Sequence, residues 1–165
     1  MERILFILIL ASALGSGLIG GVFFAFSTFV MQALGRIPAA QGIAAMQSIN
    51  VVVLNPWFLG VFVGTAASCT LVVIAALMRQ PAGTVLLIAG CVLYVAGTFL
   101  VTMMFNVPRN DALMAVTPES AEGAAYWSKY LVEWTFWNHV RTAAATAGSA
   151  ALILALVQQA SAESL

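Results

Sequence analysis

Charge is the scarcest property of this sequence. Six basic and six acidic residues in 165 amount to 7%, where a soluble domain carries about 25%. So few charges cannot cover a soluble domain of this size, because a small fold leaves much of its area in contact with solvent. The zero net charge excludes a polyanion-binding surface, and with it a nucleic-acid partner. Cysteine is nearly absent. Cys69 and Cys91 lie in separate apolar runs without the close spacing of a thiolate site, which makes a disulfide or metal pair the minor reading. Both read as small buried hydrophobes. A single histidine, His139, excludes a multi-histidine metal centre and a bis-histidine haem within the chain. No phosphate loop or dinucleotide fingerprint occurs, since Gly15-Ser16-Gly17 lies inside an apolar stretch.

What the sequence has is hydrophobicity, at 62% of residues, divided into four stretches by Pro, Gly or charged punctuation. Each supplies the ~20 residues that cross a ~30 Å hydrocarbon core. The backbone must satisfy its own hydrogen bonds there, so the stretches are helices. The first continues past Ala13 to Val30, longer than the apolar part of a secretory signal peptide. The expectation is an all-α integral membrane four-helix bundle, one transmembrane domain over residues 1–165. Its spans fall at about residues 4–31, 57–78, 84–105 and 137–157, with a short extramembrane helix in each of the two long connections. Arg3 and Arg79 flank the short segments, which places both termini on the cytoplasmic side by the short-loop rule.

The long connections carry the polar residues. In the first, residues 39–53 have helical spacing, and Gln47 and Asn50 share a face. In the second, Thr117 and Pro118 open a helix with Glu119 and Glu122 in its first turns. That helix leads Trp127, Tyr130 and Trp134 into the fourth span. Small residues in the first span (Gly15, Gly17, Gly20, Gly21) and the fourth (Ala143, Ala147, Gly148, Ala151) permit close helix packing in lipid.

The densest polar constellation joins Asn106, Arg109, Asn110 and Asp111, at the exit of span three, to residues 134–142 at the start of span four. Tyr130, Trp134, Asn138 and Arg141 form one helical stripe. Arg141 stands about one turn inside an apolar run, where a charge costs roughly 3 kcal/mol on insertion scales and faces a partner or a polar interior. It either snorkels or faces a ligand, and Asp111 and Glu133 are its nearest acids by segment. His139 is either a general base or a hydrogen-bonded structural residue. Trp127, Trp134 and Trp137 either stack on a flat aromatic ligand or form an interfacial belt.

The run Trp134-x-x-Trp137-Asn138-His139-Val140-Arg141-Thr142, preceded by Asn106-Val107-Pro108 and Asn110, resembles the anthrone oxygenase family. The likeness also takes in Gly20-Gly21-Val22-Phe23-Phe24 and Met46-Gln47-x-Ile49-Asn50. It implies a small four-span protein of the bacterial inner membrane. It also implies oxidation of a hydrophobic anthrone-like or phenolic compound by O2, with no added cofactor and no metal. On this reading His139 removes a substrate proton, while Arg141, Asn138 and Asn106 stabilise the resulting oxyanion. Trp134, Trp137, Tyr130, Asn110, Asn50 and Gln47 then surround the substrate. The alternative is a non-enzymatic membrane protein that binds lipid or a protein partner. Homo-oligomerisation is open under either.

Overall fold

Helices form wherever the apolar runs demand internal hydrogen bonding. The computed structural model describes residues 3–163, and no strand occurs among them. Helix α1 covers Arg3–Leu34, α2 Ala39–Val52, α3 Pro56–Arg79, α4 Thr84–Met114 and α5 Ala121–Glu163. All but α2 are long and apolar enough to cross a membrane. The protein is an integral membrane four-helix bundle in which α1, α3, α4 and α5 form a ring, each beside its chain neighbour and α5 beside α1.

Local sequence explains the helix ends. Asn55 caps α3 by accepting hydrogen bonds from the Trp57 and Phe58 amides at 3.1 and 3.0 Å, and Pro56 occupies the first helical position. The tight turn after α3 uses left-handed backbone at Gln80 (φ 46°) and Gly83 (φ 78°). Helix α5 opens at Ala121, a turn later than the Thr117-Pro118 start expected from sequence. The reason is a hydrogen-bonded turn from Ser120 N to Thr117 O, after which Ser120 Oγ caps Gly123 N at 2.9 Å. Two helices contain wider π-helical turns, at Phe26–Val30 in α1 and at Leu93–Leu100 and Thr102–Asn106 in α4. Pro108 lacks the N–H that a regular α4 would donate backward. Such widened turns recur at functional sites, and these flank the cavity described below.

Backbone-to-backbone approach holds the spans together. A Cβ added to Gly148 would lie 2.9 Å from the Gly90 carbonyl oxygen, and one on Gly90 2.9 Å from that of Gly148. Glycine is required at both positions for α4 and α5 to meet this closely. Gly148→Val is therefore expected to destabilise the bundle by about 1–3 kcal/mol, read by thermal unfolding in detergent. Gly64→Ala, whose methyl meets nothing within 4 Å, should leave the transition where it is.

At 1.5 Å per residue α5 is about 65 Å long, far more than the ~30 Å core requires. Its first turns stand beyond the spans and pack with α2 and the end of α4. Two hydrophobic cores result: one in the spans around Ile9, Ile19, Phe62, Leu87 and Leu152, and one in this cap around Ile43, Met46, Leu113, Trp127 and Tyr130. Gln47 Nε2 pins α2 across the cap by donating to the carbonyls of Leu113 and Val116 at 2.9 and 3.1 Å.

Candidate functional site

Between the two cores lies a cavity of about 420 Å³. Its walls come from all five helices: Phe23 and Phe26, Met46 and Ile49, Phe58 and Phe62, Phe99 and Met103, and Trp134. Four polar side chains interrupt this apolar lining, namely Asn50, Thr102, Asn110 and Arg141. Leu54, Leu59, Val63 and Met103 also border it and are exposed on the outer surface of the bundle. The cavity thus reaches the outer surface of the bundle on the side of α3 and α4.

Arg141 is 3% exposed. Its guanidinium donates to Asn138 Oδ1 at 2.6 Å and to Thr102 Oγ1 at 3.2 Å. The ring of Phe23 lies 4.0 Å from its central carbon and that of Trp134 5.0 Å, so two aromatic faces share the charge. Asn138 holds the arginine in place. Its Nδ2 donates to Phe23 O and to Ser27 Oγ, both at 2.7 Å. The amide orientation follows from chemistry, because a guanidinium only donates and a carbonyl only accepts. Ser27 in turn lies 3.0 Å from Thr142 Oγ1, closing the network between α1 and α5.

A second amide is fixed the same way. Asn110 Oδ1 accepts from Trp134 Nε1 at 2.7 Å and from Tyr130 OH at 2.8 Å. Since an indole N–H only donates, Oδ1 must face it, and Nδ2 has no partner among the described residues. Asn106 Nδ2 donates to Trp134 O at 3.2 Å. Three buried polar atoms in this region are without a hydrogen bond among the described residues: the donors Arg141 Nε and Asn50 Nδ2, and the acceptor Asn106 Oδ1. Unpaired buried donors are costly, at about 1–3 kcal/mol each, and two of them belong to cavity-lining residues. The cavity therefore presents cationic and amide N–H groups inside an aromatic wall, an arrangement suited to a flat, apolar molecule carrying oxygen acceptors.

The expected acid partners of Arg141 are elsewhere. Glu133 is taken by Arg109 at 2.9 Å and by Lys129 at 3.7 Å, and Asp111 is exposed. Among the described residues no carboxylate pairs with Arg141. The structure brings together Arg141, Asn138, Asn106, Asn110, Asn50, Trp134 and Tyr130, with Tyr130 behind the wall rather than in it. It does not bring in His139, Trp137 or Gln47. His139 is exposed and borders a separate groove with Ser27, Arg36 and Thr135, so a role as base toward a molecule in the cavity has no support in this geometry. The cause is helical phase: a two-residue step turns about 200° around α5, which sends His139 outward where Arg141 points inward. Trp137 stacks on Phe105 at 3.6 Å and 9° on the α4–α5 seam, and Gln47 is occupied in the cap.

Sequence reading missed Phe23, Ser27 and Thr102. Thr102 precedes Asn106 by one turn and Phe23 precedes Ser27 by one, so each pair shares a face. Beyond that spacing, and the presence of Phe23 in the run Gly20-Gly21-Val22-Phe23-Phe24, nothing local marks which face of an all-apolar helix turns inward.

The family model described as anthrone oxygenase matches residues 56–151, which includes α3, α4 and most of α5. No curated protein and no solved structure matches the chain.

Proposed function

The chain belongs to the anthrone oxygenase family, and from that premise we propose that its cavity binds the ionised form of a hydrophobic anthrone-like or phenolic compound and oxidises it with O2. One observation supports this most: Arg141 brings a full positive charge into an aromatic cavity lined by no carboxylate among the described residues. A cation placed this way favours an apolar anion over its neutral form. The volume falls within the ~300–1,000 Å³ of small-molecule sites, and the cavity's reach to the outer surface of the bundle suits a substrate dissolved in the bilayer.

In this mechanism the substrate loses its proton to water at the membrane surface and enters as an enolate or phenolate. Its oxygen lies against Arg141, with Asn50 Nδ2 as a further donor, and its rings lie among Phe23, Phe62 and Trp134. The anion's carbon, electron-rich through conjugation, gives one electron to O2, and the radical pair combines into a C–O bond. Protonation yields a hydroperoxide, which loses water to leave a new carbonyl. Overall a CH2 group and O2 become C=O and H2O, so O2 is the sole oxidant. Arg141 and the amides hold the charge in place, and the apolar walls exclude water from the intermediate.

Detergent-purified protein incubated in air with a simple anthrone should form the quinone faster than the spontaneous reaction, consuming O2 in equal amount. Saturable binding without acceleration would instead make the protein a carrier for the same compounds. A protein base is not part of the scheme, so kcat/KM should rise with pH through the substrate's own ionisation. A substrate with a more acidic hydroxyl should shift that rise to lower pH. An identical profile for two such substrates, centred near the ~6.5 of an ordinary histidine, would contradict the scheme. We also place both termini on the cytoplasmic side of a bacterial inner membrane, on the short-loop basic residues Arg3 and Arg79. A reporter fused to the C-terminus tests this.

A further inference from the structure

The groove that contains His139 is a second polar feature of this bundle, and it stands outside the oxygenase reading. It lies between α1 and α5 on the outer surface. Ser27, Gln32 and Arg36 line one side, and Leu131, Thr135 and His139 the other. Its volume is about 410 Å³. Gln32, Arg36 and His139 are exposed and Thr135 half-buried, and none of these four side chains makes a hydrogen bond or ion pair among the described residues. No carboxylate lines the groove. Glu133, two residues before Thr135, is held by Arg109 and Lys129.

Position along the helices says what surrounds it. At the opposite end of the bundle, Gly83 in the α3–α4 turn sits against Ala155 and Gln158. From Gln158 back to His139 is about 28 Å along α5, close to the ~30 Å hydrocarbon thickness. His139 is therefore level with the other membrane surface, and Arg36 and Thr135 reach into the headgroup layer. One turn deeper the groove is flanked by apolar side chains, the 57% exposed Phe24 three residues before Ser27 on α1 and the exposed Ala143 four residues after His139 on α5. Such a surface joins a cation and neutral donors at headgroup depth to apolar flanks at acyl depth.

We propose that this groove binds the phosphodiester headgroup of an anionic phospholipid, with Arg36 and His139 facing the phosphate and Gln32 and Thr135 its oxygens. A lipid fits better than a free anion because the apolar flanks lie directly below the donors, where acyl chains run. The site is separate from the Arg141 cavity, across the width of α5, so either reading can fail without the other.

The test is thermal unfolding in nanodiscs of phosphatidylcholine alone and of phosphatidylcholine mixed with phosphatidylglycerol. The wild type should unfold at higher temperature in the mixed discs, and native mass spectrometry should find phosphatidylglycerol retained. The double variant Arg36→Gln/His139→Gln should lose that increment while matching the wild type in phosphatidylcholine alone. Arg36→Gln by itself should weaken retention about fivefold, the effect of one basic residue near an anionic surface. Lys129→Gln, a basic residue outside the groove, should keep the increment, which separates a defined site from general attraction. Equal stability in both discs, or a double variant that keeps the increment, would overturn the proposal. So would inorganic phosphate in lipid-free detergent reproducing the shift, since the ligand would then be a free anion.

Discussion

Arg141→Gln is expected to lower kcat/KM for an anthrone by about 10²–10³-fold, the usual effect of removing one preorganised donor to a developing oxyanion. The contacts of the side chain set this expectation. Its charge is shared by two aromatic rings, one amide oxygen and one hydroxyl, and no acid among the described residues neutralises it. Glutamine keeps a donor near Asn138 but removes the charge. Insertion of a charged residue into a span costs roughly 3 kcal/mol, so the variant should be at least as stable as the wild type. Activity and stability then move in opposite directions, a result that a merely structural arginine does not give. Arg141→Lys should recover only part of the rate, because an ammonium lacks the planar fork that reaches Asn138 and Thr102 together. Turnover under air and thermal unfolding in the same detergent read both quantities.

The second large effect is expected at Asn138. Its side chain makes three hydrogen bonds, to Phe23 O, Ser27 Oγ and the Arg141 guanidinium. Such bonds average ~0.6 kcal/mol each within membrane proteins. Asn138→Leu should therefore cost about 2 kcal/mol of stability, more if the Phe23 carbonyl is left dry. It should also release Arg141 and lower turnover. Asn138→Asp keeps the acceptor toward Arg141 and adds a negative charge beside it. The carboxylate can still accept from Arg141 and hold it in position, but it neutralises the charge that the substrate anion requires. It also cannot donate to the Phe23 carbonyl, which then faces a second acceptor, so stability should fall about as far as in Asn138→Leu and turnover nearly as far as in Arg141→Gln. Retained activity in Asn138→Asp would mean that the net charge of the cavity does not govern the reaction.

Much of the architecture was legible because lipid imposes a simple rule. Four apolar runs of spanning length can only be helices, and they are. The helical spacing of residues 39–53 marked α2, and the stripe Tyr130, Trp134, Asn138 and Arg141 marked one face of α5 that does turn inward. What composition could not give was the direction of its neighbours. His139 sits in the same motif as Arg141, yet helical phase sends it to the outside. The ion pair of Glu133 with Arg109 was equally hidden, since segment proximity favoured Arg141 as well. The aromatic walls from α1, α3 and α4 come from helices apolar all round, where periodicity carries no signal for which face is buried. The widened turns of α1 and α4, which border the cavity, have no marker in the sequence beyond Pro108.

Anaerobic mixing tests, before any oxygen chemistry begins, the proposal that Arg141 stabilises the anionic form of the substrate inside the cavity. Protein and a simple anthrone, combined without O2 at a pH below the substrate's own ionisation, should develop the long-wavelength absorbance of the enolate. The signal should saturate with protein concentration and be absent in Arg141→Gln. A wild-type spectrum that remains that of the neutral ketone, or an enolate signal of equal size in Arg141→Gln, would contradict it.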